Sequence, residues 1–264
     1  MPGPSVTLAG PSRTGALVGV TWGAALLGLL LTAWLGFWQL DRAAQKLALQ
    51  AQIQQRARLP TLVQADLPSS AEAAVQQHYR RVLLQGRWLG QHTVYLDNRQ
   101  MNARPGFFVV TPLLLADGTA VPVQRGWLGR DFIDRTQLAP VPTPSGTVQV
   151  IGRLAPPPSK LFQLGRADAG LIRQNLDLDA WALEIGQPLR PWSVQQADAG
   201  MLATAADGPV LADGLQRQWP AAAVDVGKHH GYAFQWFSLC ALIAGLAVWF
   251  LLLRPRLSAR PPDS

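Results

Sequence analysis

Two stretches of this chain are apolar and free of charge, and the segment between them alternates on a much shorter scale. Thr14 to Leu40 contains no acidic or basic side chain, and His229 to Leu253 contains none if its histidines are neutral. A helix needs about 20 apolar residues to cross a bilayer core. The pattern therefore predicts one transmembrane helix over residues 14–40 and a second over 231–253. Beyond Asp41 the first helix keeps its period, with Ala43, Leu47 and Ile53 among Gln, Lys and Arg, and is expected to stop near Pro60. Residues 60–77, with Pro60, Pro68 and Ser69-Ser70, read as mostly loop.

From Tyr79 the pattern turns to strands. Arg81–Trp88 and Thr93–Leu96 flank Gly90, and Gly106–Leu115 and Ala120–Leu128 flank Asp117-Gly118, a good hairpin signal. Val148–Leu154 is a further strand between proline-rich loops, and Arg190–Gln196 a last one. Ile172, Leu176, Leu178, Trp181 and Ile185 fall mostly at helical spacing, so residues 172–185 read as a helix. Residues 197–224, rich in Ala, Asp and Gly, read as a loose segment. The expected fold class is a membrane protein of α+β type. Two transmembrane helices flank a mainly antiparallel β domain, or small barrel, over residues 41–228, with one or two helices of its own.

Charge sets the orientation. Arg254, Arg256 and Arg260 crowd the tail at 254–264, and Arg13 precedes the first span. By the positive-inside rule both termini are expected in the cytoplasm and the 41–228 domain on the periplasmic side. The net charge of +7 is not gathered into a basic tract interleaved with aromatics, so nucleic acid is not the expected partner. The one cysteine, Cys240, lies in the second span, which excludes an intramolecular disulfide and a structural zinc site built on cysteines. Gly15, Gly19 and Gly23, and then Gly28, Thr32 and Gly36, recur every fourth residue; small residues so spaced admit a neighbouring helix.

Enzymatic templates are absent: no Gly-x-Gly-x-x-Gly, P-loop, Gly-x-Ser-x-Gly or His-Glu-x-x-His occurs. The chain is not expected to be an enzyme. His78 and His92 read as solvated or structural. Asp97-Asn98-Arg99 reads as a turn or a surface pair, and Arg125-Gly126-Trp127 as a strand end with a buried indole. His229 and His230 stand at the lip of the second span beside Tyr232, Phe234, Trp236 and Phe237. Imidazole ligates iron and aromatic rings can wall a flat cofactor; the same residues also serve as interface anchors. His229, Tyr232 and Trp236 share a broad helical face, which Cys240 continues, while His230 points about 100° away.

Four motifs in order resemble the surfeit-locus-protein family, the Surf1/Shy1-type assembly factors of cytochrome c oxidase. They are Gly36-Phe37-Trp38-Gln39-Leu40-Asp41-Arg42, then Asp97-Asn98-Arg99 with Pro105–Leu113, then Val123-Gln124-Arg125-Gly126-Trp127, then His229-x-x-Tyr232-Ala233-x-Gln235-Trp236-Phe237. Gln124 stands where the family usually has asparagine. The resemblance implies a chaperone that assists maturation of the oxidase's catalytic subunit, cytochrome c oxidase subunit I, with haem a as transient cargo and haem A synthase as a further partner. It implies a multi-pass protein of the bacterial inner membrane, in contact with membrane lipid. It makes His229 the iron ligand, with Tyr232 and Trp236 beside it. Arg42, Arg99 or Arg125 would pair with the propionates, since guanidinium matches a carboxylate's two oxygens. A haem redox protein and a scaffold without haem are the alternatives.

Overall fold

The computed structural model describes residues 13–131, 133–134, 136–162, 170–197, 213–219 and 226–254. The chain divides into a helical unit (residues 1–50 and 222–264) and a β unit (residues 51–221). Helix α1 (Arg13–Ala57) is continuous over 45 residues, about 67 Å at 1.5 Å per residue. No Pro interrupts it before Pro60, so the expected continuation beyond the span is realised. Helix α4 (Val226–Ala247) passes into a π-helical turn at Val248–Leu253. Both are long and apolar enough to cross a membrane, and most of the surface of each is unburied within the chain. The basic tail beyond Arg254, with Arg256 and Arg260, lies outside the described residues.

The β unit contains strands β1 (Arg81–Trp88), β2 (Val94–Met101), β3 (Arg104–Leu115), β4 (Ala120–Gly129), β5 (Thr147–Ala155), β6 (Ile172–Arg173) and β7 (Ser193–Gln196). Their order is β1-β5-β7-β4-β3-β2-β6, and β1 also pairs with β3, so five of the strands close into a small barrel. Strand β3 makes this possible by its length. Its first half pairs with β2, and Leu113–Leu115 pair with Trp88–Gly86 of β1. Gly118 turns the β3–β4 hairpin at φ 79°, while Asp117 Oδ1 accepts from the Thr119 N–H and hydroxyl. The barrel interior holds Leu84, Trp88, Leu113, Val123, Val150, Trp192 and Val194 among others. Each buried side chain of that size is worth about 1.5–3 kcal/mol of transfer free energy.

The sheet is mainly antiparallel, as expected, with β4–β7 and β2–β6 as parallel pairs. Three expectations need correction. First, residues 172–177 are not helical. Ile172 and Arg173 pair with Tyr95 and Leu96, and helix α3 (Leu178–Ile185) starts only at Asp177, whose side chain accepts from the N–H groups of Asp179 and Ala180. Gly186, left-handed at φ 71°, ends it. The helical-looking row spans a strand and a helix because Leu176, in the link between them, and Trp181 of the helix fill the same cluster. Second, the 60–77 loop holds helix α2 (Ala71–Gln77), capped by Ser70 Oγ accepting from Ala73 N–H. Third, part of the segment expected to be loose is docked. Residues 213–219 lie as a strap whose Gln216 exchanges two backbone hydrogen bonds with Trp127, at 2.7 and 2.9 Å. The rest of 197–224, apart from Ala197, lies outside the described residues.

Candidate functional site

The helical unit joins the first and last motifs. On α1 the more buried positions include Ala25, Leu29, Thr32, Gly36, Gln39 and Ala43, and on α4 His229, Ala233, Trp236, Cys240, Ile243 and Ala247. Alternating steps of four and three place each row on a single seam with the 3.5-residue period of left-handed helix pairs. The helices run antiparallel, for Gln39 meets His229, Gly36 meets Phe237, and Gly28 meets Ile243. Gly36 lets the Phe237 ring approach: a Cβ would sit 2.7 Å from that ring and push it aside. That ring in turn meets Phe37 edge-on, centroids 5.2 Å apart. Thr32 folds its hydroxyl back onto Gly28 O at 2.7 Å, so the seam carries no unmet donor at that point. A Cβ added at Gly19 or Gly23 would meet nothing within 4 Å, so these two glycines play no part in this pairing. The surroundings of Gly15, the first of that row, lie outside the described part of the helix.

At the outer end of the seam His229 Nδ1 lies 2.7 Å from Gln39 Oε1. An amide oxygen only accepts, so Nδ1 is the donor here, and in a neutral ring Nε2 then keeps its lone pair. Trp236 and Cys240 follow His229 along the same seam, and Cys240 Sγ lies 3.7 Å from Leu29 O. Tyr232 sits on the outer flank, 50% exposed, and His230 is exposed as well. Arg42 is exposed on α1, its guanidinium carbon 5.6 Å from the Trp38 ring centroid, with Nη1 donating to Gln45 Oε1 at 3.2 Å. Among the described residues no three His, Cys, Asp or Glu side chains gather as a metal site.

The two central motifs build the β unit. Asn98, at φ 58°, marks a bulge in β2 that shifts the register between Leu96 and Arg99. Arg99 is only 4% exposed; it donates to Ser159 Oγ and Gln174 O at 3.1 and 2.9 Å, and makes no pair with Asp97. Its carbonyl accepts the Trp127 indole N–H at 2.9 Å. Gly106 lies against that indole, 2.5 Å from a would-be Cβ. Gln124 is buried and ties the parallel β4–β7 pair, donating to Ser193 Oγ at 2.7 Å and accepting from Gln195 at 3.3 Å. Its amide thus has a structural task.

Arg125 is 3% exposed. It donates to Thr143 Oγ1 and Pro142 O at 2.8 and 2.7 Å, meets Asp213 at 3.4 Å, and stacks over Trp88 at 5.0 Å. Arg217 shares the Asp213 carboxylate. Burial pushes the guanidinium pKa of both Arg99 and Arg125 down; at Arg125 the Asp213 carboxylate opposes that shift. Of the three arginines expected to meet propionates, Arg99 and Arg125 are buried and bonded internally, and Arg42 is exposed. Sequence reasoning gives no role to Gln39, Asp213 or Arg217. A lone polar residue at a seam position of an otherwise apolar run is the signal available for Gln39. Nothing in the composition around Asp213 marks it.

The comparisons with known proteins agree with the four motifs. The SURF1 family pattern matches residues 26–241. The chain is 28% identical over 107 residues to the cytochrome oxidase assembly protein SHY1 of Saccharomyces cerevisiae, covering 39% of this chain and 27% of that protein. It is 30% identical over 95 residues to a SURF1-like protein of Rickettsia felis, 35% of this chain and 39% of the relative. A SURF1-like protein of Rickettsia bellii is 28% identical over 108 residues, 39% of this chain and 41% of the relative. The aligned stretches thus span less than half of each of these relatives.

Proposed function

This chain belongs to the SURF1 family, and from that premise we propose that it is an assembly factor of cytochrome c oxidase that holds haem a as cargo for the catalytic subunit. The observation that carries the reading is the His229–Gln39 bond. Metal-binding histidines nearly always donate their second ring N–H to a fixed acceptor, which sets the tautomer and aims the other nitrogen. Gln39 supplies that acceptor, and His229 Nε2 is the iron ligand. Trp236 and Tyr232 supply flat apolar surface beside it, and Arg42 a cation for a propionate at the water side. A single histidine without a second protein ligand suits cargo that must be released. Arg99 and Arg125, already bonded within the β unit, serve to build it. Cytochrome c oxidase subunit I is the receiver and haem A synthase the supplier. The arginines at the C-terminal side favour cytoplasmic termini, a periplasmic β unit and an inner-membrane location.

One observation favours a second reading. The same bond fastens α1 to α4, which is all that a scaffold without haem requires. The full-length protein purified from cells that make haem a separates the two. We expect a haem spectrum that is lost in His229→Ala, kept in His230→Ala, and weakened about 10–100-fold in retention by Gln39→Leu, the usual cost of removing a ligand's outer partner. Oxidase maturation should fall in the same order. Absence of haem from the wild type, with normal oxidase support by His229→Ala, would leave only the scaffold.

A further inference from the structure

The β unit contains a cavity that none of the motifs uses. It has a volume of about 270 Å³ and is lined by Ile53 and Ala57 from the last turns of α1, by Ile151 of β5, and by the Trp219 indole of the strap. The indole is fixed, since its N–H donates to Gln196 O at 2.8 Å. Arg81 and Arg153 also line it, and no carboxylate is among the described residues that form it. Their methylene stems extend the apolar surface, while their heads bring positive charge.

Arg153 makes the cavity more than a gap in packing. Its Nε donates to the neutral amide of Gln195 at 2.8 Å, where a carboxylate would have neutralised it. Burial pushes its pKa down, and the neighbouring group that counters this is the Tyr79 phenol. Among the described residues Arg153 meets no carboxylate; a partly desolvated cation so placed is costly, and an anion that brings its own apolar body relieves that cost while filling the cavity.

We propose that this cavity binds a compact anionic amphiphile, a single carboxylate or phosphate joined to a short alkyl or isoprenoid body. The anion meets Arg153 and Arg81, and the body packs between Ile53, Ile151 and Trp219. At roughly 30 Å³ for each water-sized group, the volume holds about nine such groups. That admits an eight-carbon chain, and the lining shares no residue with the seam at His229, so this site is separate from any cargo held there.

The test uses the full chain in neutral detergent with a diazirine-bearing octanoate, cross-linked by light and mapped by peptide mass spectrometry. The label should fall on peptides that carry Ile53–Ala57, Ile151 or Trp219. Unlabelled octanoate and octyl phosphate should compete, and 1-octanol and octylamine should compete at least tenfold less well. Arg153→Gln should cut labelling at least tenfold, and Arg153→Lys should retain most of it. Ala57→Trp, at an exposed backbone position, should fill the cavity and abolish labelling with an unchanged circular dichroism spectrum and Tm. Competition by octanol equal to that by octanoate overturns the proposal. So does full labelling in both Arg153→Gln and Ala57→Trp, or label confined to the membrane-crossing parts of α1 and α4.

Discussion

The sharpest test of how the central motif works is Gly126→Ala. Gly126 lies on β4 beneath the strap, and a Cβ there would sit 2.7 Å from Leu215 Cβ and 3.0 Å from Gln216 O. Ordinary carbon–carbon contact begins near 3.5 Å, so the strap must retreat by roughly 0.8 Å. Both groups touched belong to the strap's own backbone or to the first atom off it, so a rotamer change cannot relieve the clash. A retreat of that size lengthens the two Trp127–Gln216 backbone bonds, now 2.7 and 2.9 Å, beyond useful range. Each is worth about 1 kcal/mol net, and forced overpacking adds about 1–3 kcal/mol. Stiffening of the unfolded chain returns about 0.4–1 kcal/mol. The net loss should be about 2–4 kcal/mol, a Tm drop of about 5–12 °C for a unit of this size. Denaturant unfolding of the purified full chain reads the loss, and hydrogen exchange at the Gln216 amide locates it. Gly146→Ala, with nothing within 4 Å, is the control and should change stability by less than about 0.5 kcal/mol. A Gly126→Ala protein as stable as that control, with its Gln216 amide still protected, would refute the account of the strap.

Two further outcomes follow from charge. A reporter that works only in the periplasm, fused after Ser264, should be inactive, and a cytoplasmic one active; the reverse result would overturn the proposed orientation. The His78 imidazole pKa is pushed down, first by burial and then by the Arg56 guanidinium. The folded state therefore resists a proton that the unfolded chain accepts below about pH 6.5. Stability is full above that pH and declines as pH falls towards the depressed folded value. His78→Gln should flatten the unfolding free energy between about pH 7.5 and 5.5, a window set around the unfolded imidazole value, and an unchanged slope would assign the pH response elsewhere.

The parts legible in the sequence are those where one local signal suffices. Charge-free runs mark α1 and α4, alternation marks β1 to β5, and Asp117-Gly118 marks its hairpin. What escapes depends on partners distant in sequence. Ile172 and Arg173 form a strand only because Tyr95 and Leu96 present an edge to them, and no local pattern distinguishes that from the start of α3. The 213–219 strap carries Asp213, Leu215 and Arg217 after a run of alanines and glycines, a composition that reads as loop until Arg125 and Gly126 are placed opposite. At the site, helical periodicity puts His229 and Trp236 on one face, as found, but cannot say that this face meets α1. The Gln39 partner is invisible because its importance lies in a contact across 190 residues of sequence.

With those contacts in view, the four motifs divide by task. In the β unit they answer one another: Gly106 makes room for Trp127, whose indole holds the Arg99 carbonyl, while Arg125 and Gly126 seat the strap. Their polar groups are largely met by the protein itself, the buried Nε atoms of Arg99 and Arg125 excepted. The helical unit is different. Its seam closes through Gly36 on Phe237, Gly28 on Ile243 and the small residues Ala43 and Ala233, with no need of a polar pair. Replacing both members of a hydrogen-bonded pair by apolar groups of similar shape is commonly neutral or stabilising. A Gln–His pair in such a setting contributes little that leucines would not. On the proposed reading, what leucines could not supply is an imidazole nitrogen to coordinate, and that, rather than the stability of the helix pair, is the reason for the pair's presence.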